Sequence, residues 1–146
     1  ISQVEHKHIR KILEVFNKSA TEVCKGQQWD IDFEKREDVT LSEYLKMIEY
    51  KTSVFLAASL QIGGINGGAS AEQQDHLYEF GKNIGIAFQL KDDLLDAFGN
   101  PEKFGKQVGG DIIVNKKTFL YLKALQLANE SQRKQLIQLF SVLKKG

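Results

Sequence analysis

Three aspartates of one predicted helix have the residue type and the spacing of a metal site. Asp92, Asp93 and Asp96 stand at positions i, i+1 and i+4, so a helix gathers their carboxylates and Gln89 in one narrow sector. Carboxylates four residues apart on a helix repel one another by roughly 0.2–0.5 kcal/mol per pair. A hard divalent cation removes this repulsion most directly, and Mg²⁺ typically binds one or two carboxylates together with substrate phosphates. A solvated helix face is the alternative, and the spacing alone leaves it open.

A lysine and a threonine interrupt the apolar stripe of a second predicted helix, over residues 41–62. The core-facing positions of this stripe are Tyr44, Ile48, Phe55, Ser59 and Ile62. Lys51 lies in the middle of the stripe with Thr52 beside it. A lysine there can extend its amine to solvent, pair with a buried carboxylate, or face an anion inside a cavity. The aspartates favour the third alternative, because magnesium and lysine together are what a diphosphate requires.

Further lysines lie in a glycine-rich segment, 99–115, and directly after it. They are Lys103, Lys106, Lys116 and Lys117, with Asp111 between them. A flexible loop of this composition beside a phosphate site could close over it as a lid. A solvated surface loop is the alternative, and without the two helices it would be the better interpretation.

Hydrophobic periodicity and capping signals predict the helices that carry these residues. Apolar residues recur at helical spacing over five ranges: 9–24, 41–62, 71–97, 116–128 and 132–144. Thr40 with Glu43, and Ser70 with Gln73, form capping boxes that open the second and third of these helices. The helix over 71–97 has a broad apolar arc, which predicts that most of this helix is buried.

Glycine, proline and charge predict the segments between the helices. Gly26 is expected to end the first helix, and the acidic stretch 30–38 that follows is expected to be irregular. Residues 63–68 (Gly-Gly-Ile-Asn-Gly-Gly) are expected to break the second helix. Residues 111–114 are the one β-like run, and a lone short strand has nothing to pair with. The predicted fold class is therefore all-α, in one domain over 1–146.

Length and composition exclude several classes of protein. The chain has 146 residues, of which 42% are hydrophobic and 27% charged, as is ordinary for a soluble globular protein. A net charge of +1 gives no reason to expect nucleic acid as a partner. A single cysteine excludes a disulfide framework and fits a reducing, cytoplasmic compartment, and no apolar run reaches transmembrane length. Because the chain begins at Ile1 and its only methionine is Met47, we expect a processed chain or a fragment.

Four segments of the chain match the motifs of one enzyme family. Residues 88–96 (FQLKDDLLD) contain a D-D-x-x-D pattern, and residues 26–30 (GQQWD) contain G-Q-x-x-D. Residues 44–52 fit Y-x3-I-x2-K-T, and residues 105–118 contain G-K-x4-D-x4-K. In their order along the chain, which they cover almost entirely, these four segments resemble the motifs of the trans-isoprenyl diphosphate synthases, also called polyprenyl synthetases.

The resemblance implies a role for each matching residue. Asp92 and Asp96, assisted by Asp93, would hold Mg²⁺ against an allylic diphosphate, with Lys51 completing the catalytic set. The residues that would contact this diphosphate are Lys51, Thr52, Gln89, Lys106 and Lys116. Asp111 would belong to the same charged network and orient a lysine. The weaker candidates are two residues near the family's cavity and dimer contact, Gln27 and Asp30.

The resemblance also implies a fold and a reaction. The fold would be the antiparallel helix bundle of the isoprenoid synthases, in a homodimer without a membrane segment. In the reaction an allylic diphosphate ionises, the double bond of isopentenyl diphosphate attacks the cation, and loss of a proton gives a longer trans-prenyl diphosphate. Phe55 and Phe88 could line the water-poor pocket that such a cation requires.

One motif of the family is missing from this chain. These enzymes carry two aspartate-rich motifs facing each other, whereas the chain has a single D-D-x-x-D. We therefore expect the C-terminal half of a synthase, and we expect these 146 residues alone to be inactive. The missing motif favours one alternative, a non-catalytic helical partner subunit of a prenyl synthase. A terpene cyclase is a weaker alternative, because an N-S-E type metal motif is not found.

Overall fold

Helices make up the secondary structure of the chain where it is described. A computed structural model describes residues 6–100, 109–114 and 116–143. Within these ranges the chain forms seven α-helices, one π-helical turn and no strand. They are α1 (His6–Lys35), α2 (Leu41–Ile48), the π-turn (Glu49–Ser53), α3 (Val54–Asn66), α4 (Ala71–Phe98), α5 (Gly110–Ile113), α6 (Phe119–Leu127) and α7 (Glu130–Leu143). The predicted all-α class is confirmed.

Contacts between residues divide the chain into two compact units. The first unit comprises Ile1–Asp30 with Lys46–Phe88, and the second comprises Ile31–Leu45 with Gln89–Gly146. Buried apolar side chains of the first unit include Met47, Ile48, Val54, Ala57, Ala58 and Ile65. Those of the second unit include Phe33, Val39, Tyr44 and Leu122. Each unit therefore has an apolar core of its own, and a single domain over 1–146 stays a prediction.

Helix α1 continues past both features that were expected to stop it. Gly26 lies buried within α1, and the acidic stretch is helical as far as Lys35. A Cβ at Gly26 would lie 2.3 Å from the backbone nitrogen of Lys51. The glycine therefore permits a close approach between two helical segments, and the predicted end of the helix at Gly26 is wrong.

The predicted helix over 41–62 consists of three consecutive elements. Its start is confirmed, because the Thr40 N–H donates to Glu43 Oε2 (2.8 Å) and the Glu43 N–H donates to Thr40 Oγ1 (3.2 Å). After Ile48 one turn is π-helical, and α3 then ends at Asn66, within the segment 63–68 that was expected to break the helix. The turn that ends α3 includes Gly68, whose φ is +77°.

The π-turn changes which residues of α3 face the core. In an uninterrupted α-helix Phe55 and Ser59 would continue the core stripe, yet both are exposed, Phe55 by 59%. A π-helical turn takes one residue more than an α-helical turn and so shifts the stripe that follows it. Val54, Ala57 and Ala58 are buried instead. The predicted core positions at Phe55 and Ser59 are therefore wrong.

Helix α4 follows its predicted bounds but is less buried than expected. The Ser70 N–H donates to Gln73 Oε1 (2.8 Å) and the Gln73 N–H donates to Ser70 Oγ (3.3 Å), which confirms the capping box. Side chains of its apolar arc that are at least 40% exposed are Phe80, Ile84, Phe88 and Leu94. The face of α4 that packs in the first unit includes Gly81 and Gly85, both buried. None of the side chains of the arc is buried, whereas Gly81, Gly85 and Asp93 are, so the predicted burial of the arc is wrong.

The β-like run 111–114, near the end of the glycine-rich segment, forms a short helix instead of a strand. Helix α5 follows Gly109, whose φ of +76° lies in the left-handed region that favours glycine. Residues 116–118 are not helical, and Thr118 caps α6 by accepting a hydrogen bond from the Tyr121 N–H (3.4 Å). Tyr121 also contacts Phe140 of α7, with ring centroids 4.0 Å apart. A helix satisfies its own backbone groups, as a lone strand cannot.

Candidate active site

The second aspartate of the D-D-x-x-D motif is buried and fully engaged by the protein. Asp93 is 4% exposed, and its Oδ2 accepts hydrogen bonds from the Tyr44 hydroxyl and from the Phe119 N–H, the latter at 3.1 Å. Its Oδ1 faces the amide of Gln89, whose Nε2 donates at 3.4 Å. Asp93 thus connects α4 to the start of α6 and to α2, all within the second unit.

Tyr44 is a site residue that sequence reasoning placed only in an apolar stripe. The residue is 3% exposed. Its burial, followed by the negative charge of Asp93, raises the pKa of Tyr44 far above its ordinary value. The phenol therefore stays a proton donor to Asp93. A signal was present in the sequence, because a buried tyrosine hydroxyl needs a hydrogen-bond partner, but its position gave no indication of which partner.

The last aspartate of the motif anchors the segment that follows the glycine-rich loop. Asp96 Oδ2 accepts a hydrogen bond from the Asp111 N–H (3.0 Å), and the Asp96 carbonyl accepts one from the Gly109 N–H (2.6 Å). A Cβ at Gly110 would lie 3.3 Å from Asp96 Oδ1. Asp96, which lies on α4, therefore fixes the start of α5 through these two hydrogen bonds.

Asp111, which was expected to orient a lysine, lies beside Lys116. Lys116 Nζ is 3.4 Å from Asp111 Oδ1, and the Lys116 N–H donates to the Asp111 carbonyl (2.9 Å). Burial raises the pKa of Asp111, the charges of Asp96 and Asp93 raise it further, and Lys116 opposes them. This part of the second unit thus has an excess of negative charge, which a bound cation would relieve.

Asp92 and Asp96 are the carboxylates best suited to hold a metal ion. Both are half-buried on α4, whereas Asp93 is 4% exposed and accepts hydrogen bonds at both of its oxygens. Asp96 accepts one at Oδ2, from the Asp111 N–H. In the described parts of the chain, no group of three or more His, Cys, Asp or Glu side chains is arranged to hold a metal by itself. Mg²⁺ keeps several waters and binds one or two carboxylates together with substrate phosphates. These residues therefore fit Mg²⁺ in the company of a phosphate.

In the first unit, Lys51 is paired with Asp30. Lys51 Nζ lies 2.5 Å from Asp30 Oδ2, and the two side chains are 29% and 12% exposed. Of the three alternatives for this lysine, the structure thus shows pairing with a carboxylate. Thr52 is half-buried beside it, and Gln27 is exposed.

The remaining predicted site residues fall into two groups. Lys103 and Lys106 lie outside the described residues. Phe55 and Phe88, considered for the lining of an apolar pocket, are 59% and 63% exposed in the first unit.

The described elements are α-helical, and the D-D-x-x-D helix is hydrogen-bonded to the segment that carries Asp111 and Lys116. Both features agree with the isoprenoid synthase fold that the motifs of the sequence imply. The family model for polyprenyl synthetase matches residues 1–145. The chain belongs to the polyprenyl synthetase family.

Named relatives agree with this assignment. The chain is 45% identical over 128 residues to the geranylgeranyl diphosphate synthase of Methanosarcina mazei, an alignment that covers 86% of this chain and 40% of that protein. A crystal structure of a geranylgeranyl pyrophosphate synthase is similar with a TM-score of 0.90 and 48% identity, over 96% of this chain and 42% of that one. The chain therefore spans about 40% of the length of the curated relative.

A third similarity is to an enzyme solved with ligands. The geranylgeranyl pyrophosphate synthase of Corynebacterium glutamicum, complexed with isoprenyl diphosphate and magnesium, is similar with a TM-score of 0.77 and 26% identity. The match covers 97% of this chain and 49% of that one.

No helix in the described ranges of the present chain is long and apolar enough to cross a membrane.

Proposed function

We propose that this chain is part of a magnesium-dependent trans-prenyltransferase that condenses an allylic diphosphate with isopentenyl diphosphate. The observation that carries the proposal is the network of the second unit, in which Asp96 binds the Asp111 N–H and Asp111 contacts Lys116. This network brings a carboxylate suited to a metal together with a cation suited to a phosphate. Membership in the polyprenyl synthetase family supports it.

The carboxylates divide into two roles in this proposal. Asp92 and Asp96 would hold Mg²⁺, and Asp93, which binds Tyr44 and the backbone of Phe119, would keep α4 in place. When bound, Mg²⁺ neutralises the negative charge that develops on a departing diphosphate. The ligands of the Corynebacterium glutamicum enzyme support this pairing of metal and substrate.

Cationic and polar residues would bind the diphosphate itself. The proposed contacts are Lys51, Thr52, Gln89, Lys106 and Lys116. Hydrogen bonds from these groups stabilise the diphosphate as its bond to the allylic carbon breaks, and the double bond of isopentenyl diphosphate then attacks that carbon. Loss of a proton from the adduct gives the longer trans-prenyl diphosphate.

The family resemblance also carries three proposals about the protein as a whole. We propose that it is a cytoplasmic homodimer, that residues 88–96 are its second aspartate-rich motif, and that the first lies outside this chain. The 146 residues contain one D-D-x-x-D, so we expect them to be inactive alone. Turnover by these residues without any further segment would contradict that expectation.

A condensation assay tests the proposed activity. The protein that contains this chain, with any residues that precede it in the gene, is incubated with isopentenyl diphosphate, an allylic diphosphate and Mg²⁺. We expect a linear product longer by one isoprene unit. Asp92→Asn and Asp96→Asn should each lower kcat/KM at least about 100-fold, because several kcal/mol of charge stabilisation is lost. Asp75→Asn, an exposed residue near the start of α4, is the matched control and should leave kcat/KM unchanged.

The products separate the proposal from its alternatives. Hydrocarbons in place of a longer diphosphate would identify a terpene cyclase. Absence of turnover with every allylic substrate, together with tight binding to a separate synthase subunit, would identify a partner subunit. Full activity of Asp92→Asn and Asp96→Asn would contradict the metal assignment.

A further inference from the structure

One face of α1 contacts the π-turn through three residues of the G-Q-x-x-D segment. Gly26, Trp29 and Asp30 stand at i, i+3 and i+4 and therefore share one face of the helix. Gly26 lies against the backbone of Tyr50 and Lys51. The Trp29 ring stacks on that of Tyr50, with centroids 5.2 Å apart. Asp30 pairs with Lys51 at 2.5 Å.

Glycines on two helices let the π-turn sit close to its neighbours. A Cβ at Gly26 of α1 would lie 2.3 Å from the Lys51 nitrogen, and a Cβ at Gly85 of α4 would lie 2.5 Å from the Ser53 Cα. Real Cβ atoms essentially never come within 3.0 Å of such neighbours. The π-turn that carries Lys51 is therefore packed against α1 and α4 directly through backbone atoms.

The pair between Asp30 and Lys51 restricts an otherwise flexible side chain. A lysine ammonium is a compact charge on a stem of four carbons, and without a partner it samples many positions. Asp30 is the more buried of the two side chains, 12% exposed against 29% for Lys51, so the carboxylate is the fixed partner. An ammonium has three donors, so a bond to one carboxylate leaves capacity for a phosphate.

We propose that Asp30 is a positioning residue, which holds the Lys51 ammonium in place for the diphosphate while Gly26 and Trp29 hold the π-turn itself. The inference deepens the proposed function and rests on it, since that function is what gives Lys51 a diphosphate to bind. The inference gives this role to Asp30 and not to Gln27, because the Gln27 side chain is exposed.

A kinetic experiment tests whether Asp30 acts through Lys51. In the protein that contains this chain, Asp30→Asn should lower kcat/KM for the allylic diphosphate roughly 10- to 100-fold, because a displacement of about 1 Å at a reacting group costs that much. Asp30→Glu should recover part of the lost kcat/KM, and the control Asp75→Asn should leave kcat/KM unchanged. With Lys51→Gln already present, Asp30→Asn should have no further effect. An undiminished effect in that background would overturn the proposal.

A second measurement needs no turnover and separates this inference from the proposed function. Acylation of amines, mapped by mass spectrometry, reports how fast Lys51 reacts relative to Lys25, an exposed lysine of α1. Asp30→Asn should raise the Lys51 rate several-fold and leave the Lys25 rate unchanged. Equal Lys51 rates with and without Asp30 would overturn the inference. If Asp30 protects Lys51 but the protein elongates no prenyl diphosphate, the proposed function fails while the positioning contact stands.

Discussion

The close packing at Gly26 leads to a stability prediction with an internal control. Gly26 and Gly63 both lie inside helices, where alanine is favoured over glycine by about 0.8–1.0 kcal/mol. They differ in their surroundings, because a Cβ at Gly63 has no neighbour within 4 Å, whereas a Cβ at Gly26 meets backbone atoms at 2.3–2.7 Å. The same substitution should therefore have opposite effects at the two sites.

The size of the difference can be worked out from these distances. At Gly63 only the propensity gain acts, and it should raise the free energy of unfolding by about 0.5–1 kcal/mol, since the residue is near the end of α3. At Gly26 ordinary contact requires at least 3.4 Å, so backbone segments must separate by about an ångström. Overpacking of this kind costs about 1–3 kcal/mol. The upper end of this range, about 3 kcal/mol, applies where backbone must move. The helix-propensity gain of about 1 kcal/mol offsets part of this cost. Gly26→Ala should therefore lower the free energy of unfolding by about 2 kcal/mol.

Urea unfolding of the two variants measures this difference. Helical circular dichroism reports the whole chain, and fluorescence reports the neighbourhood of Gly26, because the one tryptophan, Trp29, lies one turn along α1. We expect the unfolding midpoint to fall for Gly26→Ala and to rise for Gly63→Ala, at equal slopes. A midpoint for Gly26→Ala at or above that of Gly63→Ala would refute the packing argument for the π-turn.

Two further predictions concern the second unit. Tyr44→Phe removes the hydroxyl that donates to buried Asp93 and should lower the free energy of unfolding by about 1–3 kcal/mol. Tyr121→Phe is the control, and an equal loss there would contradict a specific role for the hydrogen bond. Hydrogen bonds from Thr40 hold the pKa of Glu43 below its ordinary value of 4.5. The stability they provide is present above pH 4.5 and is lost as the pH falls through the lowered pKa, so the difference between wild type and Glu43→Gln should vanish there in acid unfolding curves.

Local signals in the sequence were sufficient for much of the fold. The capping boxes at Thr40 and Ser70 correctly placed the starts of α2 and α4. These boxes depend on hydrogen bonds between residues three apart, and so a short window of sequence contains all the partners. The aspartates of α4 were likewise placed on one helix, because a helical period defines their common sector.

Local sequence signals could not identify interaction partners that lie far apart along the chain. The sequence allows three alternatives for Lys51, because its carboxylate partner, Asp30, lies 21 residues away along the chain. Tyr44 was assigned to a core stripe, although its hydroxyl donates to Asp93, 49 residues away. The types of these residues indicated that they need partners, but spacing within one helix carries no information on which distant residue meets them.

Three features could therefore be predicted from local sequence: the all-α class, the two capped helix starts and the sector of α4 that carries Asp92 and Asp96. Those features follow from periodicity and from hydrogen bonds between near neighbours. Three others became visible only in the folded chain: Gly26 serves close packing rather than a helix end, the π-turn shifts the core stripe of α3, and Asp30 pairs with Lys51. Each of these depends on which backbone approaches from elsewhere in the chain, and helical periods do not encode that approach.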